Sequence, residues 1–220
     1  EMTRMQKEMQ ERISREQLDQ AFDARFPEEM RTKLRNARVA VAGLGGLGSN
    51  IAVMLARSGV GELLLVDFDT VDVTNLNRQM YLIPQLGKPK AEALPEILYQ
   101  INPYLTYRSV CIKVTPDNVK ELFSEYPIVC EAFDKPDQKA MLVRELLMQC
   151  PKTIVVSGNG MAGYADANEI RTCQVMKRLY VCGDQSTDVG NGIGLIAPRV
   201  AVCAAHEANK VLQLIMQTES

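Results

Sequence analysis

The sequence lacks the features that mark several classes of protein. No apolar run approaches the roughly 18 residues of a membrane-spanning helix, so we expect no membrane association. Basic residues number 25 and acidic residues 27, a balance that does not predict the concentrated positive surface that nucleic acid requires. The first ten residues, EMTRMQKEMQ, have no apolar segment typical of a secretory signal. These absences favour a cytoplasmic protein that binds neither membrane nor nucleic acid.

Paired cysteines are absent and histidine is scarce. The six cysteines are widely spaced and form no C-x-x-C pair, so we expect neither a zinc site nor a disulfide framework. We interpret them as scattered, mostly buried thiols. The single histidine, His206, lies in an alanine-rich helical segment. A packing role is favoured for it, because acid–base catalysis needs an orienting partner and the adjacent sequence suggests none.

What the sequence does contain is a regular alternation of apolar strands and helices over its first 160 residues. This alternation predicts an α/β fold, a Rossmann-like, mostly parallel sheet with helices on both faces. Residues 161–181 predict a less regular, partly antiparallel C-terminal extension, followed by a final helix from Pro198 to about Met216. We divide the chain into an N-terminal helical segment, 1–36, and a single domain, 37–220. Only the first dozen residues are expected to be disordered.

A glycine-rich turn follows the first predicted strand. The stretch AGLGGLGSN (residues 42–50) contains Gly43-x-Gly45-x-x-Gly48, the fingerprint of a dinucleotide-binding turn between a strand and a helix. Gly43 permits a tight turn, Gly45 lets the backbone approach a phosphate, and Gly48 lets the helix pack on the strand. The first helical turn then offers free N–H groups to an anion. The motif fits NAD and ATP equally, so it does not identify the nucleotide.

Polar residues follow the second predicted strand. Asp67 stands 19 positions after Gly48, where a carboxylate can accept hydrogen bonds from ribose hydroxyls. The run NLNRQ (residues 75–79) and Lys90 come next, and an NAD enzyme has no obvious need of them. Arginine offers a fork of donors to phosphate oxygens and lysine a compact charge, so Arg78 and Lys90 are candidates to neutralise a triphosphate. The alternative is a polar surface loop that opens a helix.

Asp134 ends the predicted strand PIVCEAFD (residues 127–134). A carboxylate at this end of a central strand faces the ligand side of a parallel sheet, where it can hold Mg²⁺ together with phosphate oxygens. The alternative is that Asp134 caps the helix that begins near Pro136, since aspartate is favoured at that position.

Several segments together resemble one known family. RVAVAGLGGLGSN, LLLVDFDTVDVTNLNRQ, GKPK and EAFD occur in the order and spacing found in the ATP-dependent activating enzymes of ubiquitin-like proteins, the ThiF/MoeB/HesA group. EAFDKPDQKAMLV, SGNGMAGY, YVCGD and GLIAPRVAVCAAHEAN resemble its short ThiF-type sulfur-carrier adenylyltransferases. The resemblance runs from about Leu18 to Ile215, almost the whole chain.

The resemblance implies a reaction. In this family the C-terminal Gly-Gly carboxylate of a small ubiquitin-fold sulfur carrier, such as ThiS of thiamine synthesis, attacks the α-phosphate of ATP, and pyrophosphate leaves. The enzyme implied is a homodimeric adenylyltransferase that uses ATP and Mg²⁺, with 37–220 as a single ATP-binding adenylation domain. No zinc is expected, because the C-x-x-C pairs of longer relatives are absent.

The resemblance also implies roles for individual residues. Asp67 matches a ribose ligand and Asp134 a Mg²⁺ ligand. Arg25 is the best match to an N-terminal arginine that reaches the ATP of the partner subunit. The floor of the ATP site is matched by Gly43, Gly45, Gly46 and Gly48. The family residues that bind phosphate and stabilise the transition state are matched by Asn75, Arg78, Gln79 and Lys90.

Other interpretations stay open. The substrate can be a molybdopterin-type carrier or a small molecule, and a dehydratase-like relative acting on tRNA is disfavoured by the low positive charge. A non-catalytic ATP-binding scaffold is a further alternative. An NAD-dependent oxidoreductase needs an acid–base residue, for which only His206 or a tyrosine is available. The segment 188–194, where some relatives place a thiol, has no cysteine, and the nearest, Cys182, is interpreted as an ordinary loop thiol.

Overall fold

Seven strands form one sheet in this computed structural model, which describes residues 3–187, 190 and 192–217. The strands, in chain order, are β1 Arg38–Ala42, β2 Glu62–Asp67, β3 Thr106–Cys111, β4 Ile128–Glu131, β5 Ile154–Gly158, β6 Arg171–Met176 and β7 Leu179–Gly183. Their spatial order is β3-β2-β1-β4-β5-β7-β6. Every neighbouring pair is parallel except β6 and β7, which form an antiparallel edge. The predicted mostly parallel sheet with a partly antiparallel C-terminal extension is therefore confirmed.

Eight α-helices are present in the described part of the chain. They are α1 Arg4–Arg12, α2 Arg15–Asp23, α3 Glu28–Asn36, α4 Gly46–Ser58, α5 Lys90–Ile101, α6 Val119–Phe123, α7 Pro136–Gln149 and α8 Ala197–Gln217. None of these helices is both long enough and apolar enough to cross a membrane.

The sheet is covered on both faces because side chains alternate along its central strands. Val39 and Val41 of β1 belong to a buried cluster that also contains apolar residues of α4, α5 and α8. Ala40 and Ala42 point the other way, into a second cluster with residues of α6 and α7. Continuous apolar runs are therefore required in strands buried on both sides, as the sequence of β1 and β2 shows.

The N-terminal residues differ from the expectation. The prediction that the first dozen residues are disordered is wrong for residues 4–12, which form α1. Thr3 caps this helix through its hydroxyl, which accepts the N–H of Gln6 at 3.2 Å. The side-chain amides of Gln6 and Gln10 donate to the carbonyl of Pro103 at 3.0 and 3.1 Å. A charged helix is held here by hydrogen bonds to a distant loop, which its own composition does not reveal.

Candidate functional site

A cavity of about 730 Å³ opens at the carboxyl ends of β1, β2, β4, β5 and β7. Ligands of parallel α/β sheets bind at this edge, and the volume lies within the range of small-molecule sites. The cavity brings together residues from four separate segments that the sequence analysis selected. These residues are Gly43, Gly45, Gly46, Asp67, Asn75, Arg78, Gln79, Lys90 and Asp134.

The glycine turn forms part of the cavity lining. Gly43 has φ +89°, a left-handed conformation, and a side chain there would collide with the backbone of Ala132. Gly48 does not line the cavity, and a Cβ on it would overlap the carbonyl of Gly43, so its role is close packing. At Gly45 a Cβ would meet only the Gln79 amide nitrogen, at 3.6 Å. The helix α4 that follows has no side-chain cap, which leaves its first N–H groups for an anion.

Asp67, at the end of β2, holds the turn in place. One oxygen of its carboxylate accepts the N–H of Leu44 at 2.6 Å and the other accepts the N–H of Asp69 at 2.8 Å. Burial raises the pKa of the Asp67 carboxyl, although these N–H groups and the nearby Lys90 oppose the shift. Asp67 thus positions the glycine turn, and the second lone pair of each oxygen stays available to a ligand.

The loop that carries Asn75, Arg78 and Gln79 presents donors and acceptors without partners. Arg78 donates through one terminal nitrogen to the Thr74 carbonyl, at 3.0 Å, while its buried Nε has no hydrogen-bond partner among the described residues. The buried Oε1 of Gln79 is likewise unpaired there. Buried polar groups are costly when unsatisfied, and these two belong to side chains that line the cavity.

Two residues that were not selected from the sequence, Ser49 and Asn50, fix this loop against α4. The Asn50 amide donates to the carbonyls of Gly46, at 2.7 Å, and Arg78, at 3.1 Å. The Ser49 hydroxyl donates to the Gly45 carbonyl at 2.6 Å and accepts the N–H of Met80 at 3.2 Å. Both side chains belong to the stretch AGLGGLGSN, so its polar end was the available signal.

Lys90 is the first residue of α5 and is 6% exposed. Its ammonium lies 3.5 Å from the Asp69 carboxylate, which is half exposed. The backbone N–H of Lys90 also donates to the Asp69 carbonyl at 2.8 Å. A buried cation with one long, solvent-facing ion pair keeps capacity for a second anion.

Asp134 lies in the turn between β4 and α7, with its side chain exposed. The alternative that it caps α7 is wrong, because Lys135 occupies the N-cap position and makes no capping bond. Among the described residues the Asp134 carboxylate accepts no hydrogen bond, and it lines the cavity. An exposed, unpaired carboxylate of this kind suits a Mg²⁺ ion that phosphate oxygens share.

Three residues weighed from the sequence lie outside the cavity. Arg25 is exposed in the turn after α2. The ring of His206 bonds the Thr172 hydroxyl at 3.1 Å. Cys182, interpreted as a loop thiol, instead lies fully buried in β7, and burial raises its pKa to about 12. Of the segment 188–194, residues 188, 189 and 191 lie outside the described part of the chain.

Comparison with protein families gives a match over most of the chain. The profile of the family described as "ThiF family" matches residues 18–220. A tRNA threonylcarbamoyladenosine dehydratase of Haemophilus influenzae is 34% identical over 149 residues, which are 67% of this chain and 56% of that protein. A molybdopterin-synthase adenylyltransferase of Salmonella typhimurium is 31% identical over 199 residues, 86% of this chain and 77% of that protein.

A solved structure gives the same picture. The E. coli tRNA N6-threonylcarbamoyladenosine dehydratase, TcdA, in complex with ATP, superposes with a TM-score of 0.80 at 28% identity, covering 90% of this chain and 93% of that chain. In sequence, however, this chain spans only about half the length of the dehydratases that it matches.

Proposed function

Since this chain belongs to the ThiF family, we propose that it is an ATP-dependent adenylyltransferase that activates a carboxylate. The observation that carries the proposal is the single cavity that combines the glycine turn, Asp67, Arg78, Lys90 and Asp134. A similar solved structure, that of TcdA, contains ATP, which supports ATP over NAD as the nucleotide.

The geometry supports a triphosphate between the glycine turn and two cations. The uncapped start of α4 and the open space at Gly45 fit phosphate oxygens. The guanidinium of Arg78 and the ammonium of Lys90, which both line the cavity, supply charge where pyrophosphate would form. Asn75 and Gln79, which also line the cavity, add neutral polar groups.

The nucleoside fits the other side of the glycine turn. Asp67 has carboxylate lone pairs for ribose hydroxyls. Phe68 and Ile112, which the sequence analysis did not select, line the same part of the cavity from the ends of β2 and β3, with 52% and 37% exposure. Exposed apolar side chains of this kind suit the faces of a nucleobase.

The reaction needs little proton chemistry. The attacking carboxylate is already an anion, so it forms the new O–P bond without a general base while the bond to the β-phosphate oxygen breaks. Pyrophosphate leaves with the bonding electron pair. The protein must hold two anions in line and neutralise the charge that moves to the leaving group. Arg78 and Lys90 suit that task.

Asp134 fits a bound Mg²⁺ ion. Its carboxylate is exposed, lines the cavity and is unpaired among the described residues. Mg²⁺ is commonly bound by one or two such carboxylates together with phosphate oxygens. When bound, the ion would neutralise phosphate charge.

For the acyl substrate we propose the C-terminal Gly-Gly carboxylate of a ubiquitin-like sulfur carrier, ThiS-like, in thiamine thiazole synthesis. The similarity to a molybdopterin-synthase adenylyltransferase over 86% of this chain supports carrier activation and keeps a molybdopterin-type carrier as an alternative. A second candidate is a carboxylate on tRNA, which the dehydratase similarity favours. The net charge of −2 favours the carrier.

The active unit that we propose is a homodimer in which Arg25 reaches the ATP of the partner subunit. Arg25 is exposed and lies away from the cavity of its own chain. The segment between β2 and α5 exposes Val73, Leu82 and Ile83 by 65%, 61% and 73%, and such side chains suit a subunit interface. Mixing inactive Arg25→Ala and Arg78→Ala proteins should restore activity in mixed dimers. Co-purification of differently tagged subunits verifies that they have exchanged. If activity does not recover after this exchange, Arg25 does not act on the ATP of the partner subunit.

The decisive experiment for the proposed reaction is mass spectrometry of candidate acceptors. Purified ThiS, a molybdopterin-type carrier and bulk tRNA are incubated separately with the protein, ATP and Mg²⁺. We expect one carrier to gain the mass of one adenylate. Activity on tRNA alone would support the second candidate, and ATP binding without modification of any acceptor would leave a scaffold.

A further inference from the structure

Two loops border the cavity at the carboxyl ends of β5 and β7. Residues 159–163 follow β5, and residues 183–187 are the last residue of β7 and the four that follow it; we call the two segments together the loop wall. In the sheet order, β5 and β7 lie beyond β4 on the opposite side of β1 from β2. Cavity-lining residues of the loop wall are Asn159, Gly160, Met161, Ala162, Gln185, Ser186 and Thr187.

One buried guanidinium joins the two loops. Arg199, in the first turn of α8, is 3% exposed. Its Nη1 lies 2.8 Å from Oδ2 of Asp184, which belongs to the loop after β7. The same nitrogen donates to the Ala162 carbonyl, in the loop after β5, at 2.8 Å. Arg199 therefore bridges the two halves of the loop wall from behind the cavity surface.

Asp184 in turn shapes its own loop. Its carboxylate accepts the N–H groups of Ser186 and Thr187, each at 2.8 Å, and the Thr187 hydroxyl at 2.7 Å. Burial opposes ionisation, yet these bonds and Arg199 lower the pKa of Asp184 below its ordinary range. Gln185, the residue between Asp184 and Ser186, has φ +59°; among the described residues it is the one non-glycine residue with a left-handed backbone.

The backbones of the two loops are also bonded directly. The N–H of Asp184 donates to the Gly160 carbonyl at 2.9 Å, and that of Gln185 donates to the Asn159 carbonyl at 3.1 Å. The N–H of Ala162 donates to the Thr187 hydroxyl at 3.2 Å. Arg199 and Asp184 thus stand behind a continuous surface built from backbone and small polar groups.

The charge of this surface indicates its substrate. Residues 159–163 and 183–187 contain no lysine or arginine, and the charge of Arg199 is balanced by Asp184 and, at 3.5 Å, by Glu169. A wall without a free cation does not suit phosphates. The exposed side-chain amides of Asn159 and Gln185, which have no hydrogen-bond partner among the described residues, and the loop carbonyls suit the backbone of an extended peptide.

From these contacts we propose that Arg199 is a positioning residue, which through Asp184 fixes the loop wall as the surface that binds the peptide tail of the acyl substrate. This inference rests on the proposed carboxylate adenylation. A buried ion pair by itself is weak support for a stabilising role, because apolar replacements are often equally stable. The arrangement instead holds two loops in one geometry beside the cavity.

The test separates binding of the peptide from binding of ATP. The double variant Asp184→Asn/Arg199→Met removes both charges together, so neither is left buried alone, and the asparagine oxygen can still accept the N–H groups of Ser186 and Thr187. With ThiS as substrate in ATP–pyrophosphate exchange, we expect its KM to rise about tenfold or more while the KM for ATP changes less than about twofold. Arg199→Lys should give an intermediate KM, and the control Glu169→Gln, which alters only the exposed partner, should match the wild type.

Two outcomes overturn the inference. One is a folded double variant with the wild-type KM for ThiS, and the other is an equal rise of KM for ThiS and ATP, which a general loss of structure would produce. If the wild-type protein shows no exchange with ThiS or a molybdopterin-type carrier, the proposed function fails instead. Hydrogen–deuterium exchange then decides the positioning role: the double variant should exchange faster in residues 159–163 and 183–187 and not in 43–48, and unchanged loops refute it.

Discussion

The two ends of the cavity differ in how their charged side chains are paired. At the nucleotide end, formed by the glycine turn, Arg78 and Lys90, Arg78 has no ion pair among the described residues and Lys90 has only one, with Asp69 at 3.5 Å. In the loop wall, Arg199 and Asp184 neutralise each other at 2.8 Å beneath a surface without cations. A cation without a carboxylate partner suits phosphate, whereas a cation paired below the surface leaves that surface without a free charge.

The largest expected effect comes from removing charge at the nucleotide end. Arg78→Ala or Lys90→Ala should lower kcat of ATP–pyrophosphate exchange by about 10²–10³-fold, because preorganised charge on a leaving group contributes that much. The matched control is Lys88→Ala, which removes a nearby lysine paired with Glu96 at 2.8 Å. If Arg78→Ala and Lys90→Ala both catalyse exchange at the wild-type rate, the two cations do not serve the reaction.

A smaller effect should separate phosphate binding from packing within the glycine turn. A Cβ at Gly45 has room, with Gln79 at 3.6 Å, so Gly45→Ala should fold normally yet bind ATP roughly tenfold more weakly, because the methyl group keeps phosphate from the backbone. Gly48→Ala should instead lower the thermal midpoint, since its Cβ overlaps the Gly43 carbonyl. Calorimetric titration with ATP and melts without ligand test the pair, and the reverse pattern would contradict these assignments.

The sequence predicted the nucleotide end better than the loop wall for a physical reason. Glycine spacing, Asp67 and the run NLNRQ each follow a strand, and parallel strands bring their carboxyl ends to one edge whatever the rest of the chain does. Arg199 and Asp184 meet only because α8 packs beside β5 and β7. Neither position belongs to a local pattern that sets its partner.

The same limit applies to smaller details. The sequence places Asp134 just before a helix, but the helix begins one residue later than a capping role for Asp134 requires, with Lys135 at the N-cap. The helix α1 is charged, and its Thr3 cap, its long-range bonds to Pro103 and the packing of Met5 against the core distinguish it from a disordered tail. Local propensity predicts the type of an element more reliably than its ends or its distant contacts.

A modest, pH-dependent effect on folding stability is expected from Glu207, which lies behind the loop wall. It is fully buried in α8, close to Gly158, and neither oxygen has a hydrogen-bond partner among the described residues. Burial raises its pKa well above 4.5, although Lys139 opposes the shift and Glu131 adds to it. The folded state therefore holds a proton that the unfolded state releases, so this group's contribution to stability is present below about pH 4.5 and is lost as pH rises toward the folded pKa.

Glu207→Gln should remove this loss. Its free energy of unfolding should fall less between about pH 5 and pH 8 than that of the wild type, by at most about 1.4 kcal/mol per pH unit. Urea unfolding at several pH values measures the slope, with the exposed Glu125→Gln as control. Parallel pH profiles for Glu207→Gln and wild type would mean that Glu207 does not carry the proton.

The smallest effect is expected at Cys182, which lies between the loop wall and α8. Its thiol is fully buried beside the Thr172 hydroxyl, at 3.4 Å, and its pKa is raised to about 12, so little thiolate exists at neutral pH. Cys182→Ala should therefore change kcat for carrier adenylation by less than about twofold. Cys173→Ala, which removes an exposed thiol from neighbouring β6, is the control. A thiol-sensitive covalent adduct between enzyme and carrier that disappears only in Cys182→Ala would contradict this, because such a bond requires the core around β7 to open during turnover.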